Sequence, residues 1–173
     1  MNFDASPVTH RRNIMYPRLE FRTGKLELIL PIHADEKEIL EKYHDWIAEK
    51  NTFIQEMLDM AETLPFENRT KEELMQLVKG FPETRRHADV LIKFRKMSTK
   101  WASCSKNRTI TLNSLTQYLP EYHLEYILSH EFLHLTIRQH NTLFKDILLR
   151  QFPDMERLER ELCGYWFKLN VSK

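Results

Sequence analysis

Hydrophobic and polar residues along this chain switch between a repeat of two and a repeat near 3.6. From Tyr16 to Pro31, Leu19 and Phe21 alternate with Arg18, Glu20 and Arg22, and Leu26, Leu28 and Leu30 resume the alternation after Thr23-Gly24-Lys25. A repeat of two lines one face of a strand, so this stretch predicts a β-hairpin that turns at Gly24 and stops at Pro31. From Asp35 to about Thr63 the repeat is helical: Ile39, Tyr43, Trp46/Ile47, Ile54, Met57/Leu58 and Ala61 fall on one stripe. Asp35, Glu36 and Glu38 crowd its first turn, where the helix dipole favours acids. Thr70 and Glu73 have capping-box spacing ahead of Leu74, Leu77 and Val78, and Gly80 and Pro82 close that short helix.

In the second half, Val90, Ile92 and Phe94 alternate as one strand and Ile110 and Leu112 as another, joined through Trp101 to Asn107. A strong helical repeat runs from Pro120 to about Arg138 with Leu124, Ile127/Leu128, Glu131 and Leu135 in phase. A further helix is predicted from Thr142 to Phe152. Pro153-Asp154 interrupts it, and a last helix carries Leu158, Leu162 and Tyr165/Trp166. No internal repeat or low-complexity linker is evident. Early and central strands followed by helices predict an α+β class. The expected organisation is one domain over 1–173, with the hairpin and first helices in 16–80 and a second half in 88–168.

Composition narrows the class. With 173 residues, 42% hydrophobic and 29% charged, the chain is too apolar and too balanced for disorder. Two cysteines cannot build a disulfide framework. The opening thirty residues lack the apolar core of a secretory leader, and Leu26–Ile32 is too short to span a bilayer. A soluble, cytoplasmic protein is expected. The net charge of +1 conceals a segregation, −6 over residues 31–80 and +6 over 81–110. The basic stretch either solubilises a surface, faces the acidic one, or meets an anionic partner such as nucleic acid.

The chemistry lies in the helix after Pro120. His130-Glu131-Phe132-Leu133-His134 matches H-E-x-x-H. At about 100° per residue, positions 130 and 134 differ by roughly 40° and one turn, so both imidazoles leave one face. That suits two ligands of a tetrahedral zinc, with Glu131 on the flank near a metal-activated water. The carboxylate would take the water's proton during attack on a carbonyl. His140 follows His134 by six residues, at a polar turn between helices, and is the preferred third ligand. Glu156, Glu159 or Glu161 on the last helix could serve instead. Three protein ligands plus water is an open, catalytic arrangement.

Several of these residues carry a resemblance. Lys100-Trp101-Ala102-Ser103-Cys104-Ser105, the strand Ile110-Thr111-Leu112-Asn113, the H-E-x-x-H with His140, Phe144 and Pro153-Asp154 together resemble the YgjP-like metal-dependent hydrolases, zincin-type metallopeptidases related to SprT-like proteins. The likeness runs from about Arg18 to Tyr165. Ala102 stands where the family usually has Gly, and Asn141-Thr142 where Ser-Pro is usual. The resemblance implies a compact zincin-like α+β domain with an N-terminal hairpin and long helix, a small antiparallel sheet, the H-E-x-x-H helix and C-terminal helices. It implies one zinc per chain on His130, His134 and His140, with Glu131 as general base in hydrolysis of a peptide or protein. It also implies that the strand Thr109–Leu112 is an edge beside which an extended peptide lies. The SprT-like relationship admits a second reading, a protease of DNA-bound proteins using the basic segment 85–108. A zinc hydrolase of a non-peptide amide is a third.

Other residues carry weaker signals. Trp101 reads as an aromatic plug rather than a substrate platform, and Cys104 as a small buried turn residue. His123 shares the face of His130 and reads as a surface histidine or a support for the ligands. His10, His33, His44 and His87 have no partner at ligand spacing and read as surface. Tyr118, Tyr126 and Tyr165 are candidate donors to a developing oxyanion, and the sequence does not choose among them.

Overall fold

The computed structural model describes residues 7–171. Two compact units are present: the described residues up to Glu62 together with those from Cys163 onward, and Thr63–Leu162.

In the first unit the expected hairpin forms from β2 (Arg18–Glu20) and β3 (Glu27–Pro31), antiparallel with Leu19 opposite Leu28. Gly24 sits in its turn at φ 84°, a left-handed conformation that glycine adopts without a steric penalty. A strand that hydropathy does not reveal, β1 (Val8–Arg12), lies parallel to β3 on its other side. Its sequence, Val-Thr-His-Arg-Arg, is mostly exposed and carries no apolar alternation. Backbone pairing and the Arg11 guanidinium, which donates to the carbonyls of Pro31, Ile32 and Ala34, hold it instead. The helix expected over 35–63 starts on an Asp35 cap but divides at Tyr43 into α1 (Glu36–Lys42) and α2 (His44–Thr63). Leu28, Leu30, Met57 and Ala61 are fully buried.

The second unit carries the H-E-x-x-H residues and His140. Helix α3 (Lys71–Gly80) begins on the Thr70/Glu73 capping box, with both reciprocal hydrogen bonds made. A one-turn helix, α4 (Pro82–Arg86), leads to a three-stranded sheet ordered β4-β6-β5, from β4 (Leu91–Arg95), β5 (Ala102–Cys104) and β6 (Thr109–Asn113). Strands β4 and β6 are parallel, and β5 and β6 antiparallel. Both sheets are therefore mixed, which corrects the expected antiparallel sheet. The joining segments explain the error: β4 and β6 follow one another in the apolar pattern, but β5, only three residues long, intervenes and supplies the antiparallel partner. Strand β6 is also the central strand rather than the expected edge, since β4 and β5 flank it; its buried Ile110 and Leu112 are what two-sided coverage requires.

A 3-10 turn (Ser114–Tyr118) then feeds α5 (Glu121–Leu133), followed by α6 (Thr142–Gln151) and α7 (Met155–Val171). The described residues are thus α+β, with seven α-helices and two small mixed sheets. Helix α5 is buried on most sides, through Leu124, Tyr126, Ile127, Leu128 and Phe132. Its buried polar groups are matched: the Gln151 amide donates to the Ser129 hydroxyl at 3.0 Å, and His123 lies 2.7 Å from the Glu161 carboxylate. Such pairing offsets the cost of taking polar groups out of water. His123 is thereby buried, which overturns its reading as a surface histidine. No helix among the described residues is long and apolar enough to cross a membrane.

Candidate metal centre

The H-E-x-x-H residues occupy the end of α5. The helical repeat predicts continuation to Arg138, yet regular helix stops at Leu133 with His134 as its cap, still in the right-handed helical region (φ −66°, ψ −12°). His130 and His134 therefore keep the one-turn phase that puts them on a common face. Beyond them the chain tightens: Leu135 N–H donates to Phe132, and Thr136 and Ile137 N–H groups both donate to Leu133. This brings the Ile137 carbonyl back to His134, whose Nδ1 lies 3.0 Å away. His140 then precedes Asn141, the cap of α6, whose side chain accepts from Phe144 N–H at 3.0 Å.

The outcome is a cluster of three imidazoles. One ligand-capable nitrogen from each of His130, His134 and His140 lies within 4.8 Å of the others, and this group can hold a metal ion. The Nε2 atoms of His130 and His140 are 2.9 Å apart. Ring centroids are separated by 4.9 Å (130 to 134), 4.9 Å (130 to 140) and 4.7 Å (134 to 140). Phe144 forms an apolar wall, its ring 4.7–4.9 Å from all three. Burial, then the neighbouring imidazoles, lowers the pKa of His130 to about 4. The ring is accordingly neutral at neutral pH and keeps the lone pair a metal requires.

Glu131, next to His130 in the same turn, meets β5. Its carboxylate is buried and accepts the backbone N–H of Cys104 in β5, with the Lys100 ammonium nearby. Burial raises its pKa to about 7, against the opposing effects of Lys100 and that hydrogen bond. A carboxyl in this range exchanges protons readily near neutrality.

The alternative ligands have other partners. Glu161 binds His123 and Arg157, and Glu159 accepts the Tyr126 hydroxyl at 2.8 Å; neither belongs to the imidazole cluster, nor does Glu156. Tyr126 stands edge-on to His130, at 6.4 Å between rings, but its hydroxyl proton is committed to Glu159. Tyr165 is fully buried, and the Tyr118 carbonyl accepts from Glu67 N–H. Trp101 donates its indole N–H to the Leu162 carbonyl at 3.3 Å, a structural anchor. His10, His33 and His44 are exposed, whereas His87 is half-buried and stacks on Phe132 at 5.3 Å.

Two elements of the site are invisible to residue spacing. The Ile137 carbonyl is a backbone atom, so no side-chain pattern announces it. Asn113 is fully buried, and its amide donates to the Met97 and Lys100 carbonyls at 2.8 and 2.9 Å, while its oxygen accepts from Met97 and Leu115 N–H. It fixes the loop that carries Lys100 and Trp101 into β5.

A family model described as the YgjP-like metallopeptidase domain matches residues 65–164. The chain belongs to the YgjP-like metallopeptidase family. No curated protein matches the chain. The matched YgjP-like region holds the sheet, α5, α6 and all three clustered histidines. Membership points to a hydrolase, with a metal as the class of cofactor and peptides as the class of substrate.

Proposed function

We propose that this YgjP-like chain is a zinc-dependent peptidase in which His130, His134 and His140 hold one zinc ion and Glu131 is the general base, on a zincin-like α+β scaffold. The observation that carries the reading is the convergence of three ring nitrogens, one of them from a histidine whose second nitrogen is already engaged. His134 spends Nδ1 on Ile137, which orients the ring and leaves Nε2 as its ligand atom; metal-binding histidines are held in this way. Tetrahedral zinc with bonds of about 2.0–2.1 Å spaces its nitrogens roughly 3.3–3.4 Å apart. The cluster spans 2.9 to 4.8 Å, so the donor set fits in kind and in size. Zinc held there supplies Lewis acidity and brings the pKa of a coordinated water toward about 7.

The protein's own groups do the rest. Glu131 accepts a proton from the attacking water and returns it to the leaving amine, a role its pKa of about 7 suits. Cys104 N–H fixes one of its lone pairs and so its orientation. Phe144 offers no hydrogen-bonding group and keeps the wall behind the imidazoles dry. Strand β5 offers an edge for substrate. Trp101 and Ser105 exchange backbone bonds with Asn113 and Thr109, so by antiparallel alternation Ala102 and Cys104 direct their backbone groups outward. An extended peptide pairing there uses the Ala102 backbone and the Cys104 carbonyl, since Glu131 holds the Cys104 N–H.

Purified protein is expected to hold about one zinc per chain. Glu131→Gln is expected to retain that zinc while losing peptide hydrolysis; unchanged hydrolysis in that variant would remove Glu131 from the mechanism.

A further inference from the structure

Within the second unit, residues of α3, of β4 and of the segment through α4 that joins them enclose a cavity of about 390 Å³. None of its walls belongs to the imidazole cluster. Small side chains make the room, since Thr84 and Ala88, four residues apart, stand on its lining. Most of the wall is apolar. Val78 and Val90 are buried, Met75 and Ile92 are half-buried, and Leu91 is 52% exposed. An exposed leucine beside an apolar hollow leaves hydrophobic surface that an aliphatic chain would cover.

The polar groups are few, and their charge has one sign. Lys79, in the last turn of α3, lines the cavity, and no acidic side chain does. The two acids that flank the lining residues in sequence are taken: Glu83 pairs with Arg86 and Asp89 with Arg108, each at 2.6 Å. The Thr84 hydroxyl oxygen is buried without a hydrogen-bond partner, an arrangement that costs free energy until one is supplied. A turn of one rotamer about its Cα–Cβ bond exchanges methyl for hydroxyl at the wall. His87 also lines the cavity, and its ring is fixed by stacking on Phe132 of α5 at 5.3 Å.

We propose that this cavity binds a small aliphatic monocarboxylate. The tail lies on Met75, Val78, Leu91 and Ile92, and the Lys79 ammonium and Thr84 hydroxyl receive the carboxylate. The volume is that of a small-molecule site, and a few polar groups on an apolar wall fix the orientation of such a ligand. The lone lysine selects an anionic head over a cationic one. The site is separate from the metal centre and does not depend on the peptidase reading.

Octanoate is the probe, titrated into isotope-labelled full-length protein and followed by backbone amide shifts in NMR. Saturable shifts are expected at Thr84, Ala88 and Leu91, with a Kd of roughly 0.1–10 mM. Octylamine, with the same tail and the opposite charge, is expected not to saturate them. Lys79→Gln and Thr84→Val are each expected to weaken octanoate roughly threefold to tenfold, and Lys79→Arg and Thr84→Ser to retain it. Ala88→Phe fills the cavity from an exposed position and is expected to abolish the shifts. Lys93→Gln removes an exposed cation of β4 that is not on the lining and is expected to change nothing. Absence of saturable shifts would overturn the proposal, as would equal affinity for octylamine or binding that survives Ala88→Phe. Shifts confined to His140 and Phe144 would put the carboxylate at the metal centre and overturn it too. Unchanged affinity in Lys79→Gln would do so whatever the other variants show.

Discussion

The carbonyl oxygen of Ile137 lies 3.0 Å from Nδ1 of His134, so the residue that ends α5 is oriented by the turn it begins. The same three-residue turn sets out the chain toward His140. Ligand orientation and ligand delivery are thus one local structure, and the consequences can be measured.

Removing His140 takes one donor from three. His140→Ala is expected to lower zinc affinity by more than the roughly 10–100-fold that loss of a supporting partner costs. Competition against a chromophoric chelator reads the constant. An affinity equal to that of the unmodified protein would transfer the third ligand to one of the late glutamates.

Glu131 predicts a pH-dependent stability. Its pKa is raised from 4.5 to about 7 in the folded protein. Between those values the unfolded chain releases a proton that the folded chain retains, so the metal-free protein loses stability as pH rises through this window. The full loss is on the order of 3 kcal/mol by pH 8. Glu131→Gln carries no such proton. In chelator it is expected to be the more stable protein at pH 8, with the difference vanishing near pH 4, by chemical denaturation at each pH.

Asn113→Ala strips four hydrogen bonds from a site without solvent access. Stranding the Met97 and Lys100 carbonyls is expected to cost about 2–4 kcal/mol. Asn113→Asp restores the acceptor and not the donors, and is expected to recover little. Denaturation midpoints of the two variants check this; near-identity with the parent would show the loop to be held by other means.

Gly164 predicts a clash rather than a loss. A Cβ there would stand 2.8 Å from the Met57 carbonyl oxygen and 3.2 Å from the Ala61 Cβ. Alanine improves helix propensity by about 1 kcal/mol in isolation. At this crossing of α2 and α7 the backbone contact is expected to reverse the sign, with a net loss of about 1–2 kcal/mol visible in thermal unfolding.

Much of this architecture is readable from residue order. The hairpin, the Thr70 cap and the helix over 142–151 follow from apolar spacing and caps, and the spacing also finds α5, though it carries that helix on to Arg138, past its end at Leu133. Spacing alone also places His130 and His134 on one face. What escapes are features made by pairing across distance. Strand β1 is polar and exists because β3 offers an edge, and β5 is three residues long with no repeat to detect. The position of β6 between two neighbours is a property of the sheet, which no strand states by itself. His123 reads as solvated because its partner, Glu161, is 38 residues away.

The Asn141 cap has a consequence for how this region can vary. One side chain decides where α6 starts, and therefore both how far His140 can stray and where the Phe144 ring lies. With Ile137 tethered at the other end, the connection from His134 to α6 has its length prescribed from both sides. A residue inserted or deleted there shifts helix start, aromatic wall and imidazole together, so this loop, though on the surface, has the tolerance for change of a core.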